Sequence, residues 1–506
     1  MLTFCIAFVF FASYALLSYK SGAPPLPPGP KRLPLIGNLH QYPQNEPWKT
    51  YQNWHKLYGP IISLKLGQRI LIVLGSHKVV RELLEKRGAI YSSRPQMAVA
   101  ERVTKGLQTA LLPFGPKWKF HRRLQTSILS RTTCQYYQHI QEFESKQLLY
   151  EMLSSNDFSG RFHRYISSII FTLSYGKRLA RGDESELHEI GELLRNITQA
   201  TLPGRWLVDA FPALRFMPRS LAKWKQIGDQ FHKREAELFT RSYTTALESQ
   251  SWNWAKHIVQ DKESKSATVE ELSYIVGILY EAGGEATQAV LDAFVLASIL
   301  HPEPVHRAKI ELEAVVGANR LPSFEDLPRL PYVNAFLKEV LRWCPVAPGG
   351  LPHLVVCDDI YDGYRIPKGS MVVANHWSLD FDENTFPNAT AFIPERWIDN
   401  PQLPLSAFGF GRRACVGKNL ALDTLAIAIS RIIWAYDIRP ENCDDELVKD
   451  GTAKMESFGV ISKPAPFKAL FSVRDPVRQE VIEMEWKAVE KDTGSALDLV
   501  KASLLS

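Results

Sequence analysis

From Leu272 to Leu300 the chain is almost continuously apolar, yet Glu281, Glu285 and Asp292 fall inside the run. Ionisable groups at that density are too costly for a lipid-facing span, so the segment reads as a helix enclosed by protein on all sides. Thr268, with Glu271 three residues on, makes a capping box that starts this helix, which then continues for about 30 residues. So long a buried rod demands a large, mostly helical domain packed round it. At 506 residues, with 45% hydrophobic, 11% aromatic and 23% charged, the chain has the core-forming residues to build one without a disulfide or metal staple. A second apolar run, after Gly417, carries Asp423 and Arg431 and reads the same way.

Strands are few. Ile61 to Leu66 and Arg69 to Leu74 flank Gly67-Gln68, a two-residue connection suited to a type II′ hairpin, and Ser76 can cap a helix ending at Gly88. Further strand-like pieces lie around Leu354 to Val356 and Met371 to Ala374, so the expected fold class is mainly α with a small β-rich region (α+β). The N-terminus differs from the rest: Leu2 to Tyr19 is an uncharged stretch of 18 residues, enough for a helix of roughly 27 Å. It has no basic n-region and no clean cleavage site before Lys20, so it reads as a membrane anchor and not as a signal peptide. Lys20, Lys31 and Arg32 then place the downstream chain on the cytoplasmic side. The division expected is an anchor helix over 1–20, a stiff proline-rich hinge over 21–32, one large domain over 33–475, and a charged, helical C-terminal extension over 476–506. The net charge of +6 is not gathered into basic blocks, which argues against nucleic acid. Six cysteines without a CxxC pair argue against a disulfide framework or zinc cluster and fit a reducing compartment.

Chemistry concentrates at Phe408-Gly409-Phe410-Gly411-Arg412-Arg413-Ala414-Cys415-Val416-Gly417, a lone cysteine in a glycine-punctuated, arginine-rich loop ahead of an apolar helix. Gly411 and Gly417 let amide N–H groups turn toward sulfur, and a helix N-terminus with two arginines favours negative charge there. That is what a thiolate ligand to iron requires, although a lone cysteine beside a solvated Arg pair is also a common structural feature.

The run fits F-x-x-G-x-R-x-C-x-G at every fixed position and resembles the haem-binding loop of the cytochrome P-450 family, a likeness that extends from the anchor to about residue 470. The resemblance implies a single large haem-thiolate domain behind the membrane helix, with haem b held by Cys415 as axial ligand and Arg413 pairing a propionate. Glu339-Val340-Leu341-Arg342 is similar to the family's E-x-x-R, and Pro394-Glu395-Arg396-Trp397 to its P-E-R-F with Trp for Phe. Together they imply a structural network of Glu339, Arg342 and Arg396 under the haem loop. Trp118 and Arg122 match W-x-x-x-R, and their i, i+4 spacing lets both meet one porphyrin edge. His353, in Leu351-Pro352-His353, resembles a third propionate contact.

Glu281-Ala282-Gly283-Gly284-Glu285-Ala286-Thr287 looks like the family's A-G-x-[DE]-T-T segment over the distal face, its paired glycines reading as a backbone groove that admits a ligand. It departs at one place: Ala286 stands where the family has the threonine whose hydroxyl organises proton delivery to dioxygen, and Thr287 lies about 100° further round the helix. Glu285 can still feed protons through water, so Glu285, Ala286 and Thr287 are the expected catalytic positions. The resemblance implies a monooxygenase that takes electrons from an NADPH-cytochrome reductase or cytochrome b5 and hydroxylates or otherwise oxidises a small apolar substrate. Within the family it is most similar to fungal microsomal members of secondary metabolism, in the endoplasmic reticulum membrane with a single lipid-embedded span. Ala286 leaves open a haem-thiolate isomerase or dehydratase, a peroxide-using enzyme, or a non-catalytic haem sensor. The pocket wall is expected from Met97 to Leu112, Gly277 to Gly284, Val346 to Leu351 and Ser457 to Val460. A basic docking face is expected from Lys117, Lys119, Arg123, Arg412 and Lys418.

Overall fold

The Thr268 hydroxyl accepts a hydrogen bond from the Glu271 amide (3.1 Å), and the helix it caps runs unbroken from Val269 to Leu300. At 1.5 Å per residue this rod is about 48 Å long, and most of it is buried. The computed structural model describes residues 24–201, 205–442 and 455–505. The elements that position the site are, in chain order, β1 (Ile61–Leu66), β2 (Arg69–Leu74), α1 (Ala98–Thr104), α2 (Pro116–Leu129), α3 (Gln138–Met152), α4 (Phe158–Tyr175), α5 (Ser185–Thr201), α6 (Lys223–Glu248), α7 (the Val269–Leu300 rod), α8 (Pro331–Trp343), β3 (His353–Leu354), β4 (Met371–Ala374), α9 (Lys418–Ala435), β5 (Ile461–Pro464), α10 (Pro476–Ala488) and α11 (Gly494–Leu505). The fold is mainly helical with small sheets.

The largest sheet has the order β1-β2-β4-β3, with β1 and β2 antiparallel and β2 and β4 parallel. Gly67 takes φ 61° in the connection between β1 and β2 while Gln68 keeps an ordinary negative φ, as a type II′ turn requires. Ser76 does cap the next helix, accepting from the Val79 amide, but that helix does not continue evenly to Gly88. It widens over Arg81–Lys86 into a π-turn, closed by Arg87 N–H to Glu82 O at 3.1 Å, and Gly88 opens a further short turn.

Two boundary expectations differ from the structure. The expected proline-rich hinge is docked from Pro25 onward: the carbonyls of Pro25 and Pro28 accept from the Arg365 and Ser63 amides, each at 2.8 Å. Proline retains its acceptor although it lacks a donor, so this segment joins the sheet edge without being a strand. The C-terminal stretch is part of the main body. Its α10 buries Val481 and Ile482 and sets Trp486 against Phe143 and Tyr150 of α3, and α11 buries Leu497 and Val500. The anchor expected over 1–20 lies outside the described residues, among which no helix is long and apolar enough to cross a membrane.

Candidate functional site

Cys415 is presented by a loop that closes on itself, its amide donating to the Phe408 carbonyl at 2.8 Å. Gly411 cannot be replaced there, since φ is 57° and a Cβ would lie 2.2 Å from the Leu84 carbonyl oxygen in the π-turn. The amides of Gly417 and Lys418 donate to the sulfur, and Gly417 is the N-cap of α9, so the thiol sits at the positive end of a helix. Burial pushes the Cys415 thiol above its ordinary pKa, against the pull of those amides and of the charges on Arg122 and Lys418. The side chain is nevertheless exposed although protein surrounds it, so the sulfur opens onto an enclosed space and is not packed into the core.

Round that space lie cations with no anion. Arg413 donates to the carbonyls of Ser92 (2.7 Å), Leu112 (2.6 Å) and Thr109 (3.4 Å) and stacks 4.5 Å from the Trp118 ring. Arg122 donates to the Ala414 carbonyl at 2.7 Å, one residue from the thiol. His353 places Nδ1 at 2.7 Å from the Tyr91 carbonyl, and burial, aided by Arg94 and Arg413, holds its pKa down to about 3. The sequence reading missed Arg94. It is 6% exposed and donates only to the carbonyls of Ala110, Leu351 and Pro352. A signal existed, because Arg94 is the sole charge between Gly88 and Ala100, but its partners are scattered along the chain. Among the described residues no carboxylate perturbs Arg94, Arg122 or Arg413; burial brings Arg94 down to about 10, and burial with repulsion from Arg94 and Arg122 brings Arg413 to about 9. Three guanidiniums, Arg94 buried and Arg122 and Arg413 half-buried, without a carboxylate partner fit a group that carries carboxylates, as haem does with its two propionates.

Beneath the loop, Arg342 grips Glu339 through two bonds (2.6 and 2.9 Å) and donates to the carbonyls of Asp380, Ala389 and Ala391. Arg396 adds a bond to Glu339 at 3.3 Å, and all three are buried. Trp397 donates its indole N–H to Glu339 at 2.8 Å, a bond that the usual Phe cannot make.

On the opposite wall, Ala282 is exposed and Ala286 half-buried in the middle of α7, so this i, i+4 pair faces the open space. Glu285, half-buried and three residues from Ala282, borders that face, and Thr287 does not. Thr287 is buried, and Glu285 lies in the fields of Lys463 on β5 and Arg195 on α5, with burial raising its pKa. The glycines also have a different role from the expected groove. A Cβ on Gly283 would meet Ile170 Cδ1 of α4 at 2.5 Å, and Gly284 faces Ser167, so they serve close helix packing.

A thiol at a helix terminus under a carboxylate-free ring of arginines describes the haem-thiolate enzymes. Comparison with known proteins narrows this further: the sequence model of the cytochrome P-450 family matches residues 27–471. Similar curated proteins include the cytochrome P-450 monooxygenase drtD of Aspergillus calidoustus, 48% identical over 489 residues covering 96% of this chain and 92% of the relative. The monooxygenase aneD of Aspergillus aculeatus is 45% identical over 489 residues, 95% of this chain and 94% of its own. The echilunin cytochrome P-450 monooxygenase of Aspergillus ruber is 38% identical over 516 residues, 100% of this chain and 95% of its own. The chain belongs to the cytochrome P-450 family, oxidoreductases that bind haem through a cysteine thiolate, and it groups with fungal monooxygenases of secondary metabolism.

Proposed function

We propose that the protein is a membrane-bound monooxygenase that takes electrons from an NADPH-cytochrome reductase, with cytochrome b5 as a further donor, and oxidises a small apolar substrate. The observation that carries this reading is the Cys415 thiol held by the Gly417 and Lys418 amides within the ring of Arg94, Arg122 and Arg413. Haem b, bound there, supplies the activation of dioxygen. Cys415 would ligate it, while Arg413, Arg122, Trp118 and His353 would hold its propionate edge; an anion beside His353 would favour the protonated ring. Ala98, Val99 and Val103 of α1 pack with Ala200 and Val208 into a buried apolar cluster, and a pocket walled by that segment would suit a compact hydrophobic substrate.

Residence in the endoplasmic reticulum membrane is supported by the uncharged 2–19 stretch and by exposed apolar tips. Leu35 and Phe216 are each 90% exposed. Arg69 and Arg215 both donate to the Gln96 carbonyl, and the Gly67 amide donates to Ile36 O, which brings the two tips to one side of the molecule.

Ala286, facing the open space without a hydroxyl, is the observation that favours a second reading: an isomerase, dehydratase or peroxide-using enzyme that needs no dioxygen. The deciding measurement is product formed per NADPH in a reconstituted system, after the reduced, carbon-monoxide-bound protein has shown the red-shifted absorption of thiolate ligation. Cys415→Ser should lose that absorption, because an alcohol stays protonated at neutral pH. Full-rate product formation with neither NADPH nor dioxygen would overturn the monooxygenase reading.

A further inference from the structure

Away from Cys415, the seam between α6 and α7 buries two carboxyl groups that no cation pairs with among the described residues. Glu235 on α6 and Glu281 on α7 are each 2% exposed, and in both the Oε1 atom is buried with no hydrogen-bond partner. An ionised carboxylate is not tolerated in that setting, so burial raises Glu281 to about 7 and Glu235 well above its ordinary range, the Glu281 charge adding to the second. Both are held in place. Gln108 donates to Glu281 Oε2 at 2.9 Å, and the Tyr274 hydroxyl donates to Glu235 Oε2 at 3.2 Å. Tyr274 lies 3.3 Å from His232 Nδ1, which itself donates to the Val103 carbonyl (2.8 Å), and His232 Nε2 is 3.5 Å from Glu270 Oε1. His232 and Glu270 line a surface concavity of about 560 Å³. At its inner end Glu281 is one residue from the exposed Ala282, and Gln108 is one residue from Thr109, whose carbonyl Arg413 holds.

We propose that this seam is a proton inlet, in which His232 and Tyr274 pass protons from solvent to the Glu235–Glu281 pair and Glu281 releases them at the space faced by Ala282. It rests on the monooxygenase reading, because that reaction consumes a proton: R–H, O2, NADPH and H⁺ give R–OH, H2O and NADP⁺. A proton arriving on His232 Nε2 frees the Nδ1 proton for the Tyr274 oxygen, and the Tyr274 hydroxyl proton passes to Glu235 Oε2. The hops leave His232 as the Nε2–H tautomer and the Tyr274 hydroxyl turned toward it, so the ring and the hydroxyl must each turn back before the next proton passes. The route makes up for the hydroxyl that Ala286 lacks. Of the other titratable groups, Glu285 acts on Glu281 and Glu270 on Tyr274.

The test uses the haem-loaded full chain, with Glu281→Gln, Glu235→Gln and Tyr274→Phe. Infrared spectra at neutral pH should show a carbonyl stretch from a protonated buried carboxylic acid, diminished in Glu281→Gln and in Glu235→Gln; a spectrum unchanged by both substitutions overturns the inference. Product per NADPH should fall several-fold in Glu281→Gln and Tyr274→Phe, with a larger solvent deuterium effect and unaltered substrate affinity. Tyr274→Phe keeps the packing, so full coupling and an unchanged isotope effect in that variant also overturn it. If the wild type needs neither NADPH nor dioxygen, the monooxygenase reading fails first, and the infrared band still reports whether the acid pair stores a proton.

Discussion

Ala286 is the residue where one methyl group in place of a hydroxyl decides most. It shares the open face of α7 with Ala282, so Ala286→Thr would place a donor and two acceptor sites in that space. With protons already supplied by another group, the added hydroxyl crowds the native substrate. Product per NADPH should therefore fall on that substrate and improve on analogues that lack a hydroxyl. Equal turnover in the variant, with and without NADPH, would point to the dioxygen-independent reading. Trp397 makes a second residue-scale case. Its indole donates to Glu339 Oε2, which also receives Arg342 Nε at 2.9 Å, while Oε1 takes the Ile393 amide and Arg396. Trp397→Phe removes one of these donors, and the buried acceptor is left short. The expected cost is about 1 kcal/mol, at the low end for an unsatisfied buried group because Arg342 remains, and thermal unfolding of the haem-loaded protein would measure it.

At the scale of elements, α7 lies against α4 closely enough to exclude a methyl group. Gly283→Ala gains about 1 kcal/mol in helix propensity, but its Cβ would stand 2.5 Å from Ile170 Cδ1, and overpacking of that kind costs about 1–3 kcal/mol. The single variant should be destabilised. Adding Ile170→Val removes the clashing Cδ1, so the double variant should recover and approach or exceed wild-type stability. Equal losses in the single and the double variant would return the glycine to a ligand role. The same pair marks what sequence can and cannot disclose. The Thr268 cap and the apolar run are local patterns, legible at once, and so is the spacing of Gly411, Arg413 and Cys415. The reason for Gly283 lies more than a hundred positions away in Ile170, and Arg94 bonds carbonyls from two separate stretches, so neither leaves a periodic trace. The π-turn over Arg81–Lys86 answers to the Gly411 contact, again between segments far apart in sequence.

Over the whole molecule, the electron-supply face is narrower than the count of basic residues implies. Arg123 is matched by Asp261 (3.1 Å) and Glu263 (2.7 Å), and Lys117 lies 3.8 Å from Glu271. Lys119 and Arg412 instead lean over the Phe114 ring, at 5.5 and 5.2 Å, and Lys418 over Phe408 at 5.6 Å. All three cations are exposed, and Lys119 lines a concavity of about 480 Å³ along α2. An acidic reductase would meet them before the neutralised pairs. Because exposed charges act over a Debye length of about 8 Å at physiological salt, reduction by NADPH-cytochrome reductase should slow as ionic strength rises. Lys119→Glu with Lys418→Glu should slow it further and flatten the salt dependence, whereas Arg123→Gln should have a smaller effect, since its charge is already compensated. Stopped-flow reduction of the carbon-monoxide-trapped protein measures all three rates. A rate indifferent to salt, or an Arg123→Gln loss equal to that of the double lysine variant, would move the docking face elsewhere on the surface.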